Sequence, residues 1–282
     1  MNLSIPLPEG LELRIADDAA GGGEAGGGGY PTRRLQKGLL LAADGQLLTE
    51  EGVGFGVPIL KRGAQTIFPG AMELAWRRQG RLWEVAATYD LCLVERLVGV
   101  GGSNVRPRLL YAAKDALAAL HRRTPRLRGP LTAASSALRG TFGWVTTFEE
   151  TGSHVPIEVT YTVDDDSGRV DFGLSLTRLP DGVTEVVVMN EQGGRSFDLY
   201  VDSSGTALLG PEIGTWDEVT AARAAFVNTA SGAMFSAGQA RGATLRRGRE
   251  LVGSRLAWAG FGYSVPPTVR RFGYDVRVER AS

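Results

Sequence analysis

The chain has 282 residues, enough to bury a sizeable core as one large all-β domain or two ordinary ones. Its 31 basic and 31 acidic residues balance, which excludes the strong field that gathers nucleic acid or acidic lipid. A single cysteine, Cys92, excludes an internal disulfide and a cysteine-based metal cluster, and two histidines, His121 and His154, exclude a multi-histidine zinc site of local spacing.

In chain order, the N-terminal MNLSIPLPEGLELRI carries prolines and acids where a secretory signal needs a basic start and an apolar run. No stretch approaches the roughly 18–20 consecutive apolar residues of a membrane helix. The expectation is a cytoplasmic chain with no membrane partner. GGGEAGGGG at 21–29 would lose much entropy on ordering and has almost nothing to bury, so a surface loop is expected there.

Alternation dominates from residue 32 onward. Met72, Leu74 and Trp76 share one side of a strand, and after the Gln79-Gly80 turn Trp83, Val85, Tyr89, Leu91 and Leu93 share one side of the next. The same period of two returns at Ile157, Val159, Tyr161 and Val163, then at Val170, Phe172, Leu174 and Leu176. It recurs at Phe197, Leu199 and Val201, and last at Phe272, Tyr274, Val276 and Val278. The pairs Asp44-Gly45, Ser167-Gly168, Asp181-Gly182, Gly193-Gly194 and Ser204-Gly205 supply the positive φ of tight hairpins. One helix interrupts the strands: Pro107 suits its first turn, Leu110, Ala113, Leu117 and Leu120 form a stripe expected to be a core element, and Pro125 stops it. A second short helix is expected over 132–138, with Gly140 beyond its end. With no repeated strand–helix–strand unit, the fold class expected is all-β, a large antiparallel β-sandwich with one or two short helices at 107–138. It forms one domain over 1–282, either undivided or as a super-sandwich with sub-lobes 30–105 and 141–282 joined by the helical segment 106–140.

Gly52, Gly54 and Gly56 in GVGFG, with Asp171-Phe172-Gly173, partly resemble the glycine-rich loop and magnesium-binding motif of protein kinases. Gly56 comes one residue early, and no His-Arg-Asp loop lies between the two motifs, so the glycines are read as relief of crowding within a strand. Asp164-Asp165-Asp166-Ser167-Gly168 has no bidentate Glu at the twelfth place and reads as a hairpin tip, so no metal and no cofactor are expected. His154, opening a strand beside Gly152, reads as a surface turn.

The chemistry concentrates at 189–219. Val186-Val187-Val188-Met189 changes abruptly to Asn190, Glu191 and Gln192 before Arg195, and further on Glu212 and Trp216-Asp217-Glu218 place carboxylates beside an indole. Aromatic faces stack on sugars while carboxylates and amides take the hydroxyls, and two carboxylates can divide acid and base roles. Asn190-Glu191 resembles the Asn-Glu acid/base pair of barrel glycosidases, but those follow each strand with a helix and this chain does not. Large antiparallel sandwiches include the mutarotase-like and polysaccharide-lyase folds, a likeness of fold only. The expected function is carbohydrate binding or processing in a cleft, with Glu191, Glu212 and Asp217 catalytic and Asn190, Gln192, Arg195, Trp216 and Glu218 binding ligand. The competing expectation is a non-catalytic scaffold for a protein partner or an apolar ligand.

Overall fold

A computed structural model describes residues 2–16, 35–49, 52–63, 65–98, 107–124, 145–252 and 256–281. The glycine tract at 21–29, the helix expected over 132–138, and the side chains of Leu117 and His121 lie outside this description. Asp44 and Gly45, with φ of 51° and 81°, close the hairpin of β3 (Leu40–Ala43) and β4 (Gln46–Leu47). With β1 (Asn2–Pro6) and β2 (Leu11–Ala16) they form a four-stranded sheet in the order β1-β2-β3-β4. Three long strands follow the alternation read from the sequence: β6 (Gln65–Gln79), β7 (Leu82–Val98) and β8 (Val145–Asp164), preceded by β5 (Gly54–Arg62). Next come β9 (Arg169–Ser175), β10 (Glu185–Gly193), β11 (Leu199–Asp202), β12 (Ala207–Leu209) and β13 (Asp217–Glu218). The chain ends with β14 (Arg223–Val227), β15 (Ala233–Gly238), β16 (Thr244–Val252), β17 (Leu256–Val265) and β18 (Arg271–Arg280).

These fourteen strands form one antiparallel sheet, ordered β12-β11-β14-β15-β18-β9-β8-β7-β6-β5-β10-β17-β16-β13. The sheet folds over on itself, because rings from opposite ends of that order touch. Phe235 of β15 lies 5.1 Å from Phe55 of β5, and Phe226 of β14 lies 4.9 Å from Phe261 of β17. Tyr274 of β18 meets Tyr263 of β17 at 4.4 Å. The result is a large antiparallel sandwich whose interior is lined by aromatic and branched side chains. The small sheet closes one end: Ile5, Leu13 and Leu41 join the core, and Arg280 of β18 grips Asp44 at 2.9 Å. β7 and β8 pair from Leu82↔Asp164 to Val98↔Val145, so the strands before and after the helical segment belong to one sheet.

Three sequence expectations change against the structure. Leu93 does not share the inward side of Leu91, because β7 breaks register between them and Cys92 and Leu93 both turn outward. In β11 the inward residue is Tyr200, since Phe197 precedes the strand and Leu199 and Val201 are only half-buried. Helix α1 (Pro107–Arg123) forms as expected but is not a core stripe: Ala113 and Leu120 are exposed, and buried Tyr111 donates to Glu95 O at 2.8 Å. No helix among the described residues is long and apolar enough to cross a membrane.

The GVGFG question has a structural answer. Gly56 has φ +80°, opposite a bulge between Met189 and Asn190, and a Cβ there would stand 2.6 Å from Tyr161 Cε1 and 2.8 Å from Phe172 Cε1. Gly56→Ala therefore combines backbone strain with overpacking and should cost on the order of 2–5 kcal/mol. Gly205 has φ +87° with nothing near a Cβ, so Gly205→Ala should cost only about 1–2 kcal/mol. Urea denaturation of the two variants checks this, and equal losses would mean that the rings give way without penalty.

Candidate functional site

β10 is a central strand, so its side chains alternate between the sandwich interior and the sheet's outer side. Val186, Val188, Asn190 and Gln192 face inward. Asn190 Oδ1 accepts from Tyr274 Oη at 2.9 Å and from Gly56 N at 3.1 Å, while its Nδ2 donates to Val188 O at 3.3 Å. Gln192 Oε1 accepts from Leu41 N at 3.0 Å and from the Thr49 hydroxyl, and its Nε2 donates to Leu39 O at 3.2 Å. Both amides are fully buried and committed to protein partners, so the ligand contacts expected of Asn190 and Gln192 give way to a structural role.

Glu191 points the other way. Its register partners are Gly54 on β5 and Gly260 on β17, and beyond Gly260 comes Gly248 on β16. The carboxyl thus lies between two residues without side chains. It is only 6% exposed. Burial, and after it the charge of Glu250, raise its pKa from 4.5 to about 8, with the Val53 N–H acting against them. Glu191 therefore keeps its proton at neutral pH, as an acid that is to give one away must.

The indoles lie on the same side of the sheet. A Cβ at Gly262 would stand 2.1 Å from Trp216 Cη2, and one at Gly248 would stand 2.6 Å from Trp258 Cη2, so each ring rests on bare backbone. The two rings meet edge to face at 6.2 Å. Trp216 has φ 67°, a rare conformation for so bulky a residue. Its surroundings hold it there: Arg246 Nη1 donates to Trp216 O at 3.5 Å, and Arg247 Nε donates to Ile213 O at 3.1 Å. Arg249 Nε reaches Gly194 O at 2.9 Å and Phe197 O at 3.1 Å.

The remaining expected residues lie on elements next to β10 and β16. Glu212 is exposed on a 3-10 turn at Gly210–Ile213, and Arg195 is exposed just past β10. Asp217 and Glu218 pair in register with Arg247 and Arg246 of β16. The carboxylate whose charge acts on Glu191 is Glu250, which also accepts from Trp258 Nε1 at 3.4 Å. Sequence reasoning passed over Trp258, Glu250 and the glycine floor. A signal existed, since in WAGFGYS the glycines at 260 and 262 fall on one side while Ala259, Phe261 and Tyr263 fall on the other. Asp164 and Asp165 are taken up at their hairpin: Asp164 Oδ1 accepts from Asp166 N at 3.2 Å and Asp165 Oδ2 from Trp83 Nε1 at 2.9 Å. A shallow depression of about 290 Å³ lies elsewhere, over Ala75, Arg77, Glu84, Ala86, Thr160 and Thr162 on β6, β7 and β8. It holds one acid, Glu84, which is tied to Arg77, whereas Glu191 is buried with a raised pKa, so Glu191 is the better candidate centre.

No protein-family model and no curated protein sequence matches the chain. Among solved structures the fold is similar to that of an α-N-acetylgalactosaminidase, NagBb, from Bifidobacterium bifidum in complex with Gal-NHAc-DNJ. The TM-score is 0.50 at 10% identity, covering 99% of this chain and 36% of that one. A protein in glycosyl hydrolase family 38 from Enterococcus faecalis has a TM-score of 0.45 at 8% identity, covering 98% of this chain and 30% of that one. A galactose mutarotase-like protein from Clostridium acetobutylicum has a TM-score of 0.41 at 8% identity, covering 97% and 94%. The chain spans about a third of the length of NagBb, and the likeness to it is one of fold.

The raised pKa of Glu191 gives stability a pH signature. Below 4.5 the folded and unfolded chains both hold the proton; between 4.5 and about 8 only the folded chain does, so stability falls as pH rises. Above about 8 the loss is complete. Glu191→Gln removes this dependence, so the variant should melt higher than the native chain at pH 8 and together with it at pH 4.5. Melting curves at the two pH values check this; a difference that does not change with pH would mean that Glu191 is not held protonated.

Proposed function

We propose that the chain binds carbohydrate on the outer side of β10, β17 and β16, where Glu191 meets the sugar as a protonated carboxyl. The observation that carries this reading is the pairing of an indole-covered glycine floor with an acid whose pKa is about 8. Indole faces suit the apolar faces of sugar rings, and a neutral carboxyl both donates to and accepts from hydroxyls. Glu212, Glu218 and Arg195 are exposed and would supply further polar groups to a ligand, with Asp217 next to Glu218 in the chain. In a reaction Glu191 would be the proton donor, with Glu250 or Asp217 as the second carboxylate. NagBb is named as acting on an N-acetylgalactosaminide, so a fold of this kind occurs within a sugar-processing enzyme, and N-acetylgalactosamine belongs in the first set of ligands.

Calorimetric titration with neutral and N-acetylated mono- and oligosaccharides tests the reading. The native chain should bind at least one of them, and Trp216→Ala should weaken that binding by about 1–2 kcal/mol. Glu191→Gln should retain binding, and where the native chain also turns the ligand over, this variant should not. No binding across the set, or undiminished binding by Trp216→Ala, would overturn it.

A further inference from the structure

Three neighbouring strands lose register at one level, on the outer side of the sheet and apart from the indole floor. β6 and β7 pair as Phe68↔Leu93, Pro69↔Leu91 and Ala71↔Asp90, which leaves Cys92 on β7 and Gly70 on β6 without register partners. β7 and β8 pair as Leu91↔Val155 and then as Leu93↔Glu150, which sets Cys92 against the four residues Thr151, Gly152, Ser153 and His154. Bulges of this kind re-aim side chains and concentrate beside functional sites. Here they aim three at one point. Cys92 turns outward beside Asp90, and His154, at the end of that four-residue excursion in β8, has Nδ1 2.5 Å from Asp90 Oδ2. The ligating atoms of Asp90, Cys92 and His154 all lie within 4.8 Å of one another.

We propose that Asp90, Cys92 and His154 form a mononuclear site for a divalent transition-metal ion of the zinc class. The donors are one carboxylate, one thiolate and one imidazole, a set that suits zinc and its neighbours; calcium and magnesium want oxygen alone. A second observation points to a cation independently of the cluster. Asp90 Oδ1 is shut off from water and has no hydrogen-bond partner, a state that is expensive for a carboxylate oxygen and is relieved by a metal bond. Space for the sulfur is provided by Gly70, where a Cβ would stand 2.5 Å from Cys92 Sγ. Three protein ligands leave a fourth position, and the His154 and Asp90 side chains are 55% and 33% exposed, so water or a small anion can reach it. Binding replaces the thiol proton, which leaves to solvent. The same three residue types could also serve a thiol nucleophile. Reactive thiols sit in open, electropositive surroundings, whereas Cys92 is buried with the carboxylates of Asp90 and Glu150 nearby, a setting that favours a cation. The proposal does not depend on the carbohydrate reading.

The test uses the full chain, stripped with a chelator and titrated with Co²⁺ and then with Zn²⁺ against a chromophoric competitor. One equivalent of Co²⁺ should give tetrahedral visible bands and a thiolate-to-metal charge-transfer band in the near ultraviolet, both displaced by Zn²⁺. Cys92→Ser should abolish the charge-transfer band, and His154→Gln should weaken Zn²⁺ binding by more than about tenfold. His154 is on the surface, so that variant separates loss of a ligand from loss of fold, which far-ultraviolet circular dichroism checks. No saturable binding, or binding that neither variant alters, would overturn the site. So would alkylation of Cys92 that proceeds equally fast with and without Zn²⁺.

Discussion

The hydrogen bonds of Asn190 hold the two halves of the folded sheet in one relation. Its Oδ1 accepts from Tyr274 on β18 and from Gly56 on β5, strands that lie five places apart in the sheet order. A short chain of hydroxyls continues the contact: Tyr161 Oη reaches Gly56 O at 3.4 Å and bonds Tyr89 Oη at 2.7 Å. Burial pushes the phenol pKa values of Tyr89, Tyr161 and Tyr274 up, so these groups stay protonated and remain available as donors. A buried amide left without partners costs about 1–3 kcal/mol, and only one packing of the two halves satisfies this one. Apolar contacts supply the bulk of the stability, but they tolerate sliding. The amide does not.

That constraint reaches the outer side through the bulge. Continuing the pairing of Met189 with Val57 without a shift would set Asn190 against Gly56 and Glu191 against Phe55. The shift between Met189 and Asn190 instead pairs Asn190 with Phe55 and Glu191 with Gly54. Phe55 then turns into the core against Phe235, and Glu191 acquires a neighbour with no side chain. The interior bond from Gly56 N to Asn190 and the exterior slot for a carboxyl are consequences of one extra residue. A change at Gly56 is thus a change at Glu191 as well.

The architecture was legible because period two survives in long strands, and the turn residues that punctuate it have local causes. The errors fall where the ladder breaks. Cys92 and Leu93 both face outward across a bulge, and no alternation count reveals a bulge whose cause is a register shift on two neighbouring strands. The helix stripe misled for a different reason: spacing shows that one side is more apolar but not whether anything covers it, and Ala113 and Leu120 remain exposed. In the polar run Asn190-Glu191-Gln192 the rule of alternation already separated the middle residue from its neighbours. Asn190 and Gln192 share the side of Val186 and Val188, so only Glu191 could face away from the core. Reading the three as one polar end merged a structural pair with a chemical residue.

The outer side of this sheet is not simply a solvated surface. In an antiparallel sandwich that side is ordinarily polar. On β5, β7, β8 and β10, however, it carries Val57, Cys92, Leu93, Phe148 and Met189, and these are roofed by Leu35 and Val53. The roof exists because β5 and β6 pair only at Leu60–Arg62 and then diverge. The segment 36–39 fills the gap, with Gln36 N bonded to Pro69 O, Gly38 N to Val53 O, and Leu39 bridged to Phe55. Val53 is where that layer stops, and its N–H is the group that meets Glu191. On one side of the carboxyl lies an apolar cover; on the other lie the glycines and indoles of β16 and β17. The burial that raises the pKa of Glu191 follows from its place at this edge, deep enough to lose water and bordered by bare backbone. Cys92 belongs to the same apolar cluster as Val53, so the layer that shelters Glu191 also shelters the thiol beside Asp90 and His154.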